Sequence, residues 1–178
     1  MRRKGTEGMK HKTMRAGVLV LGALILVGCG PESGVGFGAI TPVTTAATAT
    51  PGAMEQEAQI IALINAERAR QGRSALSYNA ALTRAAQRHA GDLATRNGLS
   101  HTGRNGSTVG DRVRAAGYSY CYVSENLSVG YPTAQQAVLG WMQSKGHRAN
   151  LLNGEVQDVG IGIGPNNLFV AVFAKPCR

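Results

Sequence analysis

The chain has 178 residues, enough for one domain with a real core, and it carries 19 Lys plus Arg against 10 Asp plus Glu, a formal charge of +9. Six of the basic residues lie at or before Arg15, so removal of everything before Cys29 would leave 13 basic and 9 acidic residues, a net charge of only +4. The basic balance is therefore a targeting feature, and three Phe, five Tyr and one Trp supply few stacking platforms, which argues against nucleic-acid binding.

The N-terminus reads as a basic region (Arg2, Arg3, Lys4, Lys10, Lys12, Arg15) followed by an apolar run from Ala16 to Val27. Twelve residues at about 1.5 Å each span roughly 18 Å, short of the ~30 Å hydrocarbon core, so the run reads as the apolar part of a signal peptide and not as a permanent membrane helix. Leu26-Val27-Gly28-Cys29 resembles a bacterial lipobox, in which the Cys is diacylated and becomes the first mature residue. The expected organisation is a lipoprotein signal peptide over 1–28, a Gly/Thr/Ala/Pro tether over 29–53 and a folded domain over 54–178. An ordinary signal peptide with Cys29 falling near its cleavage site is the alternative, and Met9 and Met14 are alternative starts to Met1.

In the folded part, Ile60, Leu63 and Ile64 recur at helical spacing and predict a helix from Glu55 to about Gln71, with Glu55 and Glu57 near its positive end and Gly72 after it. A second helix is expected after Asn79, running to about Asn97 with Leu82, Ala86, His89 and Leu93 on one face and Gly98 closing it. Thr108 with Asp111 has the capping-box spacing and predicts a short helix to Ala116, ended by Gly117. Thr133 and Gln136 repeat the device ahead of a helix that carries Ala137, Val138, Trp141 and Met142 and is expected to break at Gly146.

Strand signals lie between and after these helices. Tyr118 to Val129 is rich in Tyr, Val and small residues, although Glu125 and Asn126 interrupt it. Val159, Ile161 and Ile163 alternate with Gly160, Gly162 and Gly164, which gives one packing face and one face that another element can approach closely. Pro165-Asn166-Asn167 reads as a turn, and the continuously apolar Leu168 to Ala174 as a central strand. Helices first and strands last, without regular alternation, indicate an α+β fold.

With Cys29 assigned to lipid, Cys121 and Cys177 remain, and export to an oxidising compartment favours one disulfide between them over two free thiols. His101, Glu125 and His147 are the polar residues that stand beside element ends and outside apolar stripes. Converging, they could bind a divalent metal or move protons; the bland alternative is that the histidines cap turns and Glu125 accepts backbone hydrogen bonds. His89 lies on an inward face and reads as a core histidine bonded to backbone, Trp141 as core packing with one partner for its N–H, and Glu67 with Arg70 as a surface helix pair.

Ile64-Asn65-Ala66-Glu67-Arg68, the Ala85 to Ala90 helix, Ser100-His101-Thr102-Gly103, Gly106-Ser107-Thr108 leading to Asp111-Arg112, Ser124-Glu125-Asn126-Leu127, Gly140-Trp141-Met142, Gly146-His147-Arg148-Ala149-Asn150-Leu151-Leu152 and Asp158-Val159-Gly160-Ile161-Gly162 occur in order. Together, over roughly Glu55 to Cys177, they resemble the bacterial branch of the CAP superfamily, named for cysteine-rich secretory proteins, antigen 5 and pathogenesis-related 1 proteins. The resemblance implies a three-layer α-β-α sandwich with a central, mainly antiparallel sheet and a surface cleft. In many members two His and two Glu line the cleft, and the two His can hold zinc. His101, Glu125 and His147 match three of these positions, while the fourth, a Glu, aligns with Ser144, which supplies no carboxylate.

The expected function is a lipid-anchored, extracytoplasmic, non-enzymatic module, at the outer membrane if the cell is diderm, since Gly30 and not Asp follows Cys29. Its expected partners are the membrane through Cys29 and a small lipid, envelope or protein ligand; the domain is expected to be a monomer, with no cofactor required and zinc as an option on His101 and His147. The competing reading is a hydrolase of peptide or envelope polymer that uses His101, Glu125 and His147. Against it, the chain has neither His-Glu-x-x-His nor Gly-x-Ser-x-Gly. A third reading makes the domain a structural envelope component with a vestigial cleft.

Overall fold

A computed structural model of the chain describes residues 51–177. The signal peptide, Cys29 and most of the expected tether lie outside the described residues.

The elements run α1 (Pro51–Arg70), β1 (Ser77–Tyr78), α2 (Ala80–Leu93), α3 (Val109–Ala115), β2 (Tyr120–Ser128), α4 (Ala134–Gln143), α5 (Lys145–Leu151), β3 (Asp158–Gly164) and β4 (Leu168–Pro176). The sheet order is β1-β3-β4-β2. β4 pairs antiparallel with both β2 and β3, and the two residues of β1 add parallel to β3. The expected α+β class and mainly antiparallel sheet are thus present.

Side-chain alternation along β4 divides the core in two. Phe169, Ala171 and Phe173 face a cluster built by Ile60 and Ile64 of α1, Val138 and Trp141 of α4 and Leu151 of α5. Leu168, Val170, Val172 and Ala174 face Leu82, Ala86 and Leu93 of α2 with Val113 of α3. Both faces of β4 are buried, which is why its sequence is continuously apolar. The result is three layers, with α1, α4 and α5 on one side and α2 and α3 on the other.

The glycines of β3 explain how closely the second layer sits. A Cβ on Gly160 would overlap the backbone of Leu82 and Thr83, and one on Gly162 would overlap the backbone of Ala86 and Gln87. On the opposite face Val159 and Ile161 are fully buried, so alternation serves packing on one side and helix approach on the other. The β3–β4 turn has positive φ at both Asn166 (57°) and Asn167 (55°), the type I′ pattern that matches strand twist and that Asn tolerates.

Side chains close the sheet where strands stop. Beyond β1, the Ile161 amide donates to Glu57, and Gln87 both accepts from the Ile163 amide and donates to the Ile163 carbonyl. On β2 the Glu125 and Leu127 carbonyls accept from Asn150 Nδ2 and Trp141 Nε1. Asn65 holds the amide and carbonyl of Leu76. Each bond satisfies an edge group that would otherwise be unpaired in the fold or exposed to strand addition.

Caps and staples follow the sequence signals in part. Thr108 and Asp111 form the full capping box, Gly117 adopts φ 86° after α3, and Asn79 caps α2 through bonds from Ala81 and Leu82. Cys121 and Cys177 form a disulfide with Cα atoms 4.9 Å apart, at a register shift that leaves Cys121 without a partner on β4. Its closed loop, 56 residues in separation, contributes about 4 kcal/mol on a chain-entropy basis.

Three expectations are corrected and one strand is added. α1 begins at Pro51, within the expected tether, and has no acidic residue in its first turn; Glu57 instead serves Thr83 and β3. α2 stops at Leu93, because Thr95 turns back to the Asp92 carbonyl through both its amide and its hydroxyl, and Gly98 (φ 92°) lies farther on. The break after α4 falls at Ser144, whose extended backbone (φ −87°, ψ 122°) starts α5, so Gly146 is helical. β1, with only two residues, was too short to read.

The close approach at β3 predicts opposite results for two alanine substitutions in denaturant unfolding. Gly162→Ala loses about 1–3 kcal/mol to overpacking against helix backbone. Gly91→Ala, inside α2 with nothing within 4 Å of its added Cβ, gains up to about 1 kcal/mol of helix propensity.

Candidate functional site

Two consecutive residues of β2 organise the site because they project to opposite faces. Glu125 turns to the α2–α3 layer and Asn126 to the α4–α5 layer, each on the same face as its β4 partner, Val172 and Ala171 respectively.

The Glu125 side chain is only 1% exposed, so its charge must be answered inside the protein. Arg112, on the inward face of α3, meets Oε2 through Nη2 at 2.8 Å. The same guanidinium donates to the His101 carbonyl (3.2 Å) and the Ser107 carbonyl (2.9 Å), tying α3, β2 and the loop after α2 together. Oε1 accepts from His101 Nδ1 at 2.9 Å. His101 itself is 61% exposed, so one edge of the ring is anchored in the interior and the other meets solvent. In the neutral ring this bond fixes the proton on Nδ1 and leaves Nε2 as the free lone pair.

His89 stands behind this pair. Its Nε2 donates to the Ser100 carbonyl at 2.8 Å and lies 3.8 Å from Glu125 Oε1. Burial holds the ring below the ordinary histidine value, which favours its neutral form. The expected core role, bonded to backbone, is what is found, and the Trp141 indole likewise donates to the Leu127 carbonyl.

On the other side of β2, Asn126 Nδ2 donates to the His147 carbonyl at 3.0 Å and its Oδ1 accepts from Asn150 Nδ2 at 3.0 Å. These bonds fix the start of α5 against the strand. The His147 ring is half-buried and held below the ordinary value, chiefly by burial and then by His101. Ser144 sits half-buried at the α4–α5 break, and its hydroxyl makes no capping bond to α5.

The structure thus brings His101 and Glu125 into direct contact, ties the His147 backbone to the neighbouring Asn126 and places Ser144 three residues before His147. Among the described residues no group of three or more His, Cys, Asp or Glu is arranged to hold a metal ion. Two imidazoles are the available donors, and Glu125 acts behind one of them.

Arg112 and the Asn126–Asn150 pair had no role in the sequence reading. The available signal was an Arg beside Val113 on the inward side of a short helix, where a cation needs a buried anion. Arg68 was missed in the same way: fully buried in α1, it donates to the carbonyls of Ser74, Leu151 and Asn153 and so closes the C-terminal end of α5. The neighbouring Glu67 and Arg70 form the expected surface pair.

The model of the cysteine-rich secretory protein family, CAP, matches residues 61–173. The uncharacterized protein YkwD of Bacillus subtilis (strain 168) is 32% identical over 122 residues, 68% of this chain and 47% of that protein. The crystal structure of an extracellular protein containing a SCP domain from Bacillus anthracis is 27% identical with a TM-score of 0.65, covering 73% of this chain and 45% of that one. An outer surface protein of Borrelia burgdorferi shares the fold at 22% identity and a TM-score of 0.63, covering 73% and 97%. The chain spans less than half the length of the curated relatives it matches.

Removing Arg112 strands a buried carboxylate. Arg112→Met is predicted to lose about 3–5 kcal/mol in urea unfolding, and the double variant Arg112→Met/Glu125→Leu to lose less than Arg112→Met alone.

Proposed function

The chain belongs to the cysteine-rich secretory protein (CAP) family, and from that premise we propose that it is an extracytoplasmic, lipid-anchored ligand-binding module and not an enzyme. The observation that carries this reading is the state of Glu125. One oxygen accepts from His101 and the other from Arg112, so the single carboxylate of the cleft is occupied in holding structure. With Ser144 in place of a second carboxylate, the cleft holds no pair of carboxylates for acid/base work. The lipobox-like Leu26-Val27-Gly28-Cys29 and the extracellular description of the Bacillus anthracis protein support export, with the lipid on Cys29 as the membrane attachment.

The ligand of the cleft is a lipid, envelope or protein group, and zinc is an optional partner. His101 Nε2 and the His147 ring would hold the ion, with Glu125 fixing the His101 tautomer as a carboxylate does behind many zinc-bound imidazoles. Bound zinc would supply a Lewis acid with open positions for a ligand donor or water. Two imidazoles make such a site weak and reversible.

One observation favours the alternative, a hydrolase: a His–carboxylate pair with an exposed Nε2 is also how a general base is oriented. Calorimetric zinc titration of the metal-stripped protein separates the readings. The proposal predicts one weakly bound ion per chain, lost in His101→Ala and in His147→Ala and weakened about tenfold in Glu125→Gln, with no peptide or glycan turnover in the loaded protein. Absence of binding by the folded wild-type protein would remove zinc, and turnover abolished by His101→Ala would overturn the non-enzymatic reading.

A further inference from the structure

A second cavity, of about 500 Å³, opens between α2, α3 and the loop over 103–107. It shares His89, Ser107 and Arg112 with the network described above; His101, Glu125, Ser144 and His147 do not line it. Its volume falls within the range of small-molecule sites.

The hydrogen-bonding capacity around this cavity is lopsided. Its two carboxylates are spent inside the protein. Asp92 accepts from the Arg104 amide and pairs with Arg96, and Asp111 accepts from the Thr108 amide and hydroxyl and pairs with Arg114. The donors are not spent. Among the described residues, Arg88 has no hydrogen-bond or ion-pair partner, Arg104 uses Nε and Nη2 but not Nη1, and Asn105 uses only Oδ1. Arg112 is 8% exposed, and its Nε is buried without a partner although both of its terminal nitrogens are engaged. Gly103 leaves room for the Ser107 hydroxyl, which a Cβ there would displace.

We propose that this cavity binds a soluble organic phosphate. Guanidinium and amide donors converging from three elements suit a tetrahedral oxyanion, which accepts from more directions than a planar carboxylate. The cavity is larger than a phosphate group and is walled partly by Ala115 and the stems of the arginines, which leaves space for the organic part of an ester. Arg88 at the exposed rim supplies the charge not already committed within the fold.

The test is an amide NMR titration of the full chain with sn-glycerol 3-phosphate at constant ionic strength, with glycerol as the neutral control. The proposal predicts saturable shifts over residues 103–107 with the phosphate and none with glycerol. Arg88→Glu should weaken binding by roughly tenfold or more, the effect of a little over 1 kcal/mol, without moving amides elsewhere. The charge-matched Arg73→Glu, in the segment between α1 and β1, should leave it unchanged. Shifts that do not saturate, that avoid the 103–107 loop, or that survive in Arg88→Glu would overturn the assignment.

Discussion

A buried carboxylate on a central-sheet neighbour is a severe constraint, and the arrangement around Glu125 is what meets it. A carboxylate at 1% exposure is sustained only by a cation and by hydrogen bonds on both oxygens. Arg112 supplies the cation through Nη2, which also donates to the His101 carbonyl, while Nη1 binds the Ser107 carbonyl. The loop after α2 therefore cannot move independently of β2, and His101 is delivered to the surface with one ring nitrogen already committed. Exposure of the His101 ring and burial of its anchor are two consequences of the same ion pair.

The opposite face of the strand repeats the logic with neutral groups. Asn126 and Asn150 bind each other, the His147 carbonyl and the Glu125 carbonyl, so the start of α5 is pinned to the edge of β2. Because Glu125 and Asn126 are adjacent and alternate across the sheet, both helical layers are referenced to one point on one strand. A cleft between two layers needs such a common reference if its two histidines are to keep their separation. The same strategy seals the other margin of the sheet, where Glu57 and Gln87 bind the backbone of β3.

Much of this was legible in the sequence because it rests on local rules. The Gly/Val/Ile alternation of β3, the capping box at Thr108 and Asp111, the Asn-Asn turn and the apolar run of β4 each encode one element through side-chain period or φ preference. Glu125 and Asn126 stood out as faults in a strand pattern, and those faults are the site. What could not be read depends on contacts distant in sequence. Nothing local to Arg112 reveals an anion 13 residues away on another element, and Arg68 finds its carbonyls 83 and 85 residues on. α5 was hidden because Gly146 signals an end, whereas the half-turn at Ser144 restarts the helix ahead of it.

The account stands on Glu125 holding His101 in one tautomer, and this can be seen directly in the ring nitrogen shifts of the histidine-labelled protein at a pH where His101 is neutral. The account predicts the Nδ1–H form in the wild type, with Nε2 unprotonated, and a shift toward the Nε2–H form in Glu125→Leu. An Nε2–H ring in the wild type, or a tautomer ratio that Glu125→Leu leaves unchanged, would contradict it.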